Sequence, residues 1–378
     1  MERLAYLKQV ELQMKVHPIC GVLGPRQAGK TTLARQYAKN YIPGPVHFFD
    51  LENPFDLTRL EDPYTALSQL EGLVVIDEIQ LAPNLFPILR VLVDERPRHF
   101  LILGSASRDL IQKSSETLAG RIGYIELTPF ILDEVKDSRT LWRRGGFPRS
   151  FLAPSEDESF LWREAYISTF LERDIPSLGF KIPSVQMRRF WMMLCHTHGQ
   201  ILNASELGKS LGISDHTVRK YLDLLVGTFM MRSLSPWFEN ISKRQVKSPK
   251  VYFRDSGILH TLLGLKNQED IERHPKLGAS WEGFALEEVI RSYNVRAEDC
   301  YFWATQSGAE LDLLLLKEGK RLGFEFKYTD KPKPTPSMRI ALEDLKLDHL
   351  TLIYPGQKHY DFNDQISIIG IQSSAFLK

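Results

Sequence analysis

Eight residues, Gly24 to Thr31 in the order GPRQAGKT, fit the pattern G-x-x-x-x-G-K-[ST]. In that pattern backbone N–H groups cradle phosphates, the lysine reaches the β- and γ-phosphates and the hydroxyl holds Mg²⁺. Gly24, Pro25, Arg26, Gln27, Ala28, Gly29, Lys30, Thr31 and Thr32 are therefore candidate contacts to ATP. An apolar run, ICGVL, precedes the loop and a good helix former follows it, the strand–loop–helix setting the motif needs. A further apolar run, LVVIDE, ends in Asp77 and Glu78. In a parallel sheet that end lies on the edge that carries a phosphate loop, so Asp77 would hold Mg²⁺ through water while Glu78 orients the attacking water. Another run ends at Gly104-Ser105 on the same edge, which makes Ser105 a candidate sensor of the terminal phosphate. Arg121 precedes the last such run, where a cation can point toward a neighbouring subunit's nucleotide; a surface salt bridge is the competing reading.

The elements that must position these groups are legible as pattern. Five short apolar runs (Ile19 to Leu23, Val46 to Leu51, Leu73 to Asp77, Phe100 to Gly104, Tyr124 to Leu127) alternate with helical stretches. That alternation predicts an α/β fold with a parallel sheet covered on both faces. Residues 1 to about 17 read as a helix closed by His17-Pro18. The 378 residues are 43% hydrophobic and 25% charged with a net charge of +1, so nucleic-acid binding has to come from local basic clusters. Cys20, Cys195 and Cys300 are far apart, which points to a reduced, cytoplasmic chain without disulfides or structural zinc. No run reaches the ~18 apolar residues of a membrane span.

Further along, residues 156 to 195 read as a helical connector and Asn203 to Leu225 as a helix-turn-helix. His216, Thr217, Arg219 and Lys220 are expected to face outward from its second helix, toward phosphates or base edges. The stretch KRQVKSPKVYFR is expected to form a wing hairpin offering Lys243, Arg244, Lys247, Lys250 and Arg254 to DNA.

A second constellation lies near the C-terminus: Glu282 on a helix, Asp312 at the head of a strand, and Glu325 with Lys327 on the next strand, after a turn at Glu318-Gly319. Glu325 and Lys327 are two apart and share a strand face. Carboxylates at Asp312 and Glu325, completed by Glu282 or else by Glu287 or Glu288, would hold Mg²⁺ for in-line attack on a phosphodiester, and Lys327 would stabilise the developing charge. The constellation resembles the PD-(D/E)XK nuclease fold, particularly archaeal Holliday-junction resolvases.

Over nearly its whole length the chain resembles the prokaryotic AAA+ ATPases that carry a C-terminal domain of the DUF4143 type. The resemblance rests on GPRQAGKTTL, LVVIDEIQ, LILGSAS, ETLAGR, RRGGFPRS, FLERDIPSLG, LNASELGKSLGISDHTVRKYLDLL, KRQVKSPKVYFRDSGILH, SWEGFALEE, and GAELDLLL followed by EFK. It implies sheet order 5-1-4-3-2, an arginine-finger position at Arg121, and a second sensor arginine at Arg149. The expected organisation is an ATPase domain over 1–150, a connector over 151–195, a winged helix over 196–262 and a nuclease-like domain over 263–378. The expected function is Mg-ATP hydrolysis by a homo-oligomeric ring, such as a hexamer, acting on duplex or branched DNA, with metal-dependent cleavage by the C-terminal domain. The alternatives are a branch-migration motor without nuclease activity and an ATP-dependent switch that docks a partner protein.

Overall fold

The computed structural model describes residues 1–107, 118–374 and 376. Glu116 and Thr117, which open the ETLAGR stretch, lie outside the described residues. The chain forms two compact units. The first comprises Met1–Pro129, Glu172–Ile182 and Asp223–Met230; the second comprises Phe130–Leu171, Pro183–Leu222 and Met231–Lys378.

In the first unit the strands are β1 (Ile19–Leu23), β2 (Val46–Asp50), β3 (Leu73–Asp77), β4 (His99–Gly104) and β5 (Ile122–Glu126). They lie in the order β2-β3-β4-β1-β5, all parallel. Read from the other edge this is the predicted 5-1-4-3-2. Side chains alternate across each strand. Cys20 and Val22 of β1 pack with Leu7 and Val10 of the Leu4–Val16 helix and Leu33 and Tyr37 of the Lys30–Tyr41 helix. Ile19 and Leu23 face the other way, toward Phe86, Leu89 and Leu92 of the Leu85–Glu95 helix. Helices therefore cover both faces, and the strand ends are left to carry chemistry.

The second unit is built on a nine-stranded sheet in the order β13-β14-β12-β11-β10-β9-β7-β8-β6. Its strands are β6 (Gln200–Ile201), β7 (Met231–Pro236), β8 (Lys250–Phe253), β9 (Cys300–Ala304), β10 (Glu310–Lys317), β11 (Lys320–Phe326), β12 (His349–Tyr354), β13 (His359–Asn363) and β14 (Ile366–Gly370). β6, β8 and β7 form an antiparallel ribbon, and the segment read as a helix-turn-helix forms two helices, Ala204–Leu211 and Asp215–Gly227. β7 also pairs in parallel with β9, so one sheet runs through the boundary expected near residue 262.

The hairpin expected over KRQVKSPKVYFR differs from expectation. Its strands are β7 and β8, and residues 237–249 do not form a hairpin with each other, because the C-terminal sheet takes up their backbone groups. Trp237 and Val246 donate to the carbonyls of Phe302 and Ala304, and Gln306 donates to the carbonyl of Arg244. The turn between β10 and β11 is as expected: Glu318 and Gly319 both have positive φ, 52° and 77°, the backbone of a two-residue hairpin loop. Among the described residues no helix is long and apolar enough to cross a membrane, and all three cysteines are buried and free.

Candidate functional site

The phosphate loop leaves β1 through Gly24, where a Cβ would sit 2.0 Å from the carbonyl oxygen of Leu127, so no other residue fits. It enters the next helix through Gly29, whose φ of 99° an L side chain rarely adopts. Lys30 is buried, and its ammonium donates to the carbonyls of Gly24 and Pro25, both at 3.0 Å. Burial lowers its pKa, while Glu78 and Asp77 work to keep it charged. Thr31 donates from Oγ1 to Asp77 Oδ2 at 2.5 Å. The hydroxyl and the carboxylate expected to share Mg²⁺ thus meet at the end of β3, and the donor set, one hydroxyl and one carboxylate oxygen, suits a hard cation that keeps its waters.

Glu78 follows in a left-handed conformation, φ 56° and ψ 44°, which is uncommon for a residue with a side chain and turns the chain into a short 3₁₀ helix. Gln80, in that helix, donates from Nε2 to Glu78 Oε2 and, at 2.9 Å, to Ser105 Oγ, while its Oε1 accepts from Ser105 N–H at 3.2 Å. One amide therefore ties the two predicted residues together. Arg26 pairs with Glu52 and Asp174, and its Nε lies 3.8 Å from Glu78 Oε1. Burial opposes its charge, but Asp174, Glu78 and Glu52 outweigh burial and raise its pKa. Asp174 belongs to the FLERD stretch, which forms a turn of π-helix over Phe170–Asp174. The sequence alone assigns no role to Gln80, Glu52 or Asp174; Gln80 does carry a signal, its spacing of two from Glu78.

Arg121 makes a two-pronged pair with Asp94, at 2.7 and 2.9 Å, which is the salt bridge anticipated as its competing role. Arg149 belongs to the second unit, where with Pro148, Leu152, Pro154, Glu158 and Trp162 it lines an open pocket.

In the C-terminal cluster, β10 and β11 pair in a register that sets Leu313 opposite Phe324, and Asp312 and Glu325 flank that pair. The β9–β10 pairing is irregular between Leu311 and Leu314, around the buried Asp312. Asp312 Oδ2 accepts from the Phe326 N–H at 3.0 Å, and Lys327 lies 2.8 Å from Glu325 Oε1. Glu325 Oε2 is buried and, among the described residues, has no hydrogen-bond partner. Glu282 accepts from Tyr252 Oη at 2.7 Å. Burial, with Asp312 next, pushes the Glu282 carboxyl up to about 7 and the Glu325 carboxyl up to about 8.

Two expectations are corrected here. Lys250 does not face DNA: its side chain is 4% exposed, and its ammonium pairs with Glu310 and lies 3.6 Å from Asp312 and 3.7 Å from Glu282. The alternation of β8 explains this, since Lys250 and Tyr252 project from the same face and both reach Glu282. Arg254 is likewise turned inward, 3.5 Å from Glu287. The expected ligands converge, but with an ammonium among them; among the described residues no group of three or more His, Cys, Asp or Glu side chains is arranged to hold a metal ion. Glu287 is taken by Arg232, Arg254 and Arg291, which outweigh burial and hold its carboxyl at about 2. Glu288 accepts from the Leu132 N–H and pairs with Arg291.

Residues 16–136 match the family model described as "AAA domain", and residues 277–373 match "Domain of unknown function (DUF4143)". Between them, 135–269 match a further "Domain of unknown function (DUF8612)". The uncharacterized protein Rv2008c of Mycobacterium tuberculosis is 50% identical over 353 residues, 92% of this chain and 79% of that protein. The chain belongs to the family of AAA-domain ATPases with a C-terminal DUF4143 domain. A Haemophilus influenzae protein, also described as uncharacterized, is 23% identical over 300 residues, 70% of this chain and 74% of its own. Among solved structures, the Walker-type ATPase PABY2304 of Pyrococcus abyssi aligns with a TM-score of 0.48 at 13% identity, over 69% of this chain and 95% of that one. In this AAA-family chain the phosphate loop, Asp77, Glu78 and Ser105 all lie within the residues matched by the AAA model.

Proposed function

We propose that this chain hydrolyses Mg-ATP and couples hydrolysis to work on DNA. The observation that supports hydrolysis is the linked set at one sheet edge: Thr31 bonded to Asp77, and Glu78 tied through Gln80 to Ser105. Lys30 and the loop amides bind the phosphates. Thr31 and Asp77 would hold Mg²⁺, which neutralises phosphate charge when bound. Glu78 accepts a hydrogen bond from the attacking water and so aligns it, and Gln80 fixes where that carboxylate points.

The DNA half of the reading rests on cations that face solvent in the second unit. His216, Arg219 and Lys220 are exposed at the start of the second helix of the helix-turn-helix, and Lys243, Arg244 and Lys247 are exposed in the connection before β8. The acid cluster expected to cleave strands is instead arranged around Lys250, so the work on DNA proposed here is not strand cleavage. The test is ATP turnover with and without duplex, single-stranded, forked and four-way DNA. Stimulation by one of these, lost when Arg219 and Lys220 are replaced by alanine, is the expected result. Turnover indifferent to every DNA would overturn the DNA half and favour a switch that docks a protein partner.

A further inference from the structure

The C-terminal cluster gathers four carboxylates, Glu282, Glu310, Asp312 and Glu325, around two lysines, Lys250 and Lys327. Lys327 is 43% exposed and serves Glu325 from the solvent side, whereas Lys250 is closed in with the other three. A buried ammonium is costly unless its charge is matched and its protons are taken up. Here Glu310 pairs with it, Asp312 and Glu282 stand within 3.7 Å, and the ring of Phe302 lies 5.6 Å away. The carboxylates on their own would repel one another and would draw in a cation.

We propose that Lys250 is the resident cation of this cluster and that it closes the site to divalent ions. Its ammonium lies between Glu282 and Asp312, where both carboxylates reach it, and a divalent ion bridging them has to displace it. Strand β8 fixes the ammonium there because Tyr252, two residues on, anchors the same face to Glu282. Among the described residues Glu325 Oε2 is buried without a hydrogen-bond partner, while Lys327 pairs with the other oxygen of that carboxyl. Removing the ammonium leaves four carboxylates and one lysine, a set with affinity for a hard cation.

The experiment is titration of the full-length, nucleotide-free protein with Mn²⁺, read by calorimetry and by the shift in melting temperature. Asp312→Asn serves as background, so that ions held at the ATP site are subtracted. Wild type is expected to show no Asp312-dependent binding up to millimolar Mn²⁺, whereas Lys250→Met and Lys250→Gln gain binding at least tenfold tighter. Lys250→Gln keeps a donor toward the carboxylates and serves if the methionine variant does not fold. Asp312-dependent binding by wild type in the micromolar range would overturn the proposal whatever the variants do. A folded Lys250 variant that binds no more tightly than wild type overturns it as well. ATP turnover measured on the same samples keeps this inference separate from the ATPase reading, which uses none of these residues.

Discussion

The two charged centres of this chain use lysine in opposite ways. At the phosphate loop, Lys30 is buried and, among the described residues, its ammonium bonds to the carbonyls of Gly24 and Pro25. Carbonyls take up its protons without pairing its charge directly, and although burial lowers its pKa, Glu78 and Asp77 favour the charged form that an anionic ligand would meet. In the C-terminal cluster, Lys250 is as deeply buried but sits among three carboxylates, which cancel it. A lysine beside acids is thus not by itself a sign of a reactive site. What separates the two is whether the fold satisfies the ammonium with neutral acceptors or with charge.

The largest expected effect tests that contrast on turnover. Glu78→Gln should keep ATP binding and lower hydrolysis by about 10²- to 10⁴-fold, the usual range for a lost catalytic base. Lys30→Ala should weaken binding itself, and Asp312→Asn should leave turnover unchanged. Steady-state hydrolysis alongside nucleotide-binding isotherms reads all three. A Glu78→Gln protein as active as wild type would remove Glu78 from the chemistry, and an inactive Asp312→Asn protein would break the separation between the centres.

A smaller effect belongs to the second unit alone. His198 and His260 are both buried, and burial lowers each imidazole to about 3. His260 lies between the Arg143 carbonyl at 3.1 Å and Ser280 Oγ at 2.6 Å, and His198 Nδ1 accepts from the Phe253 N–H at 3.0 Å. Between the ordinary value near 6.5 and the folded value near 3, the unfolded chain binds a proton that the folded chain excludes. Their contribution is therefore present above about pH 6.5 and is lost as pH falls toward 3, on the order of a few kcal/mol for each imidazole. Urea unfolding at pH 7, 5 and 4 checks this: His260→Gln should flatten the acid side by about one proton. An unchanged slope would mean that His260 is charged in the fold.

Sequence reading recovered the parts of this molecule that are local. β1 and β3 have the bounds that the apolar runs indicated, and the phosphate loop is contiguous, so its chemistry is carried by neighbours in the chain. The hairpin at Glu318-Gly319 is local too. Lys250 is not legible as an inward residue, because Glu310 and Asp312 are brought to it by strand pairing through β7 and β9 and Glu282 by the Leu277–Tyr293 helix, and nothing in KRQVKSPKVYFR indicates which of its cations turns inward. The roles of Asp174 and Glu52 were hidden for the same reason: both reach Arg26 across long sequence separations. Gln80 was within reach, since a polar residue two after Glu78 in a tight turn returns to the same edge.

The smallest expected effect sharpens the comparison among the cations of the 237–249 connection. Lys243, Arg244 and Lys247 are all exposed, but Lys243 lies 2.6 Å from Asp344. A lysine that already has a carboxylate beside it contributes less to a phosphate contact, because forming that contact means giving up a pair that water and salt only partly screen. If this connection meets DNA, Arg244→Ala and Lys247→Ala should each flatten the dependence of log K on log salt by about 0.9 on duplex DNA. Lys243→Ala should change it by less, and Asp344→Asn should raise the share of Lys243 toward that of its neighbours. Fluorescence anisotropy between 50 and 200 mM salt resolves such slopes. Equal losses at all three positions would show that the Lys243–Asp344 pair opens at no cost when DNA arrives. No loss at any of them would move the DNA interface from this connection to the helix bearing Arg219 and Lys220.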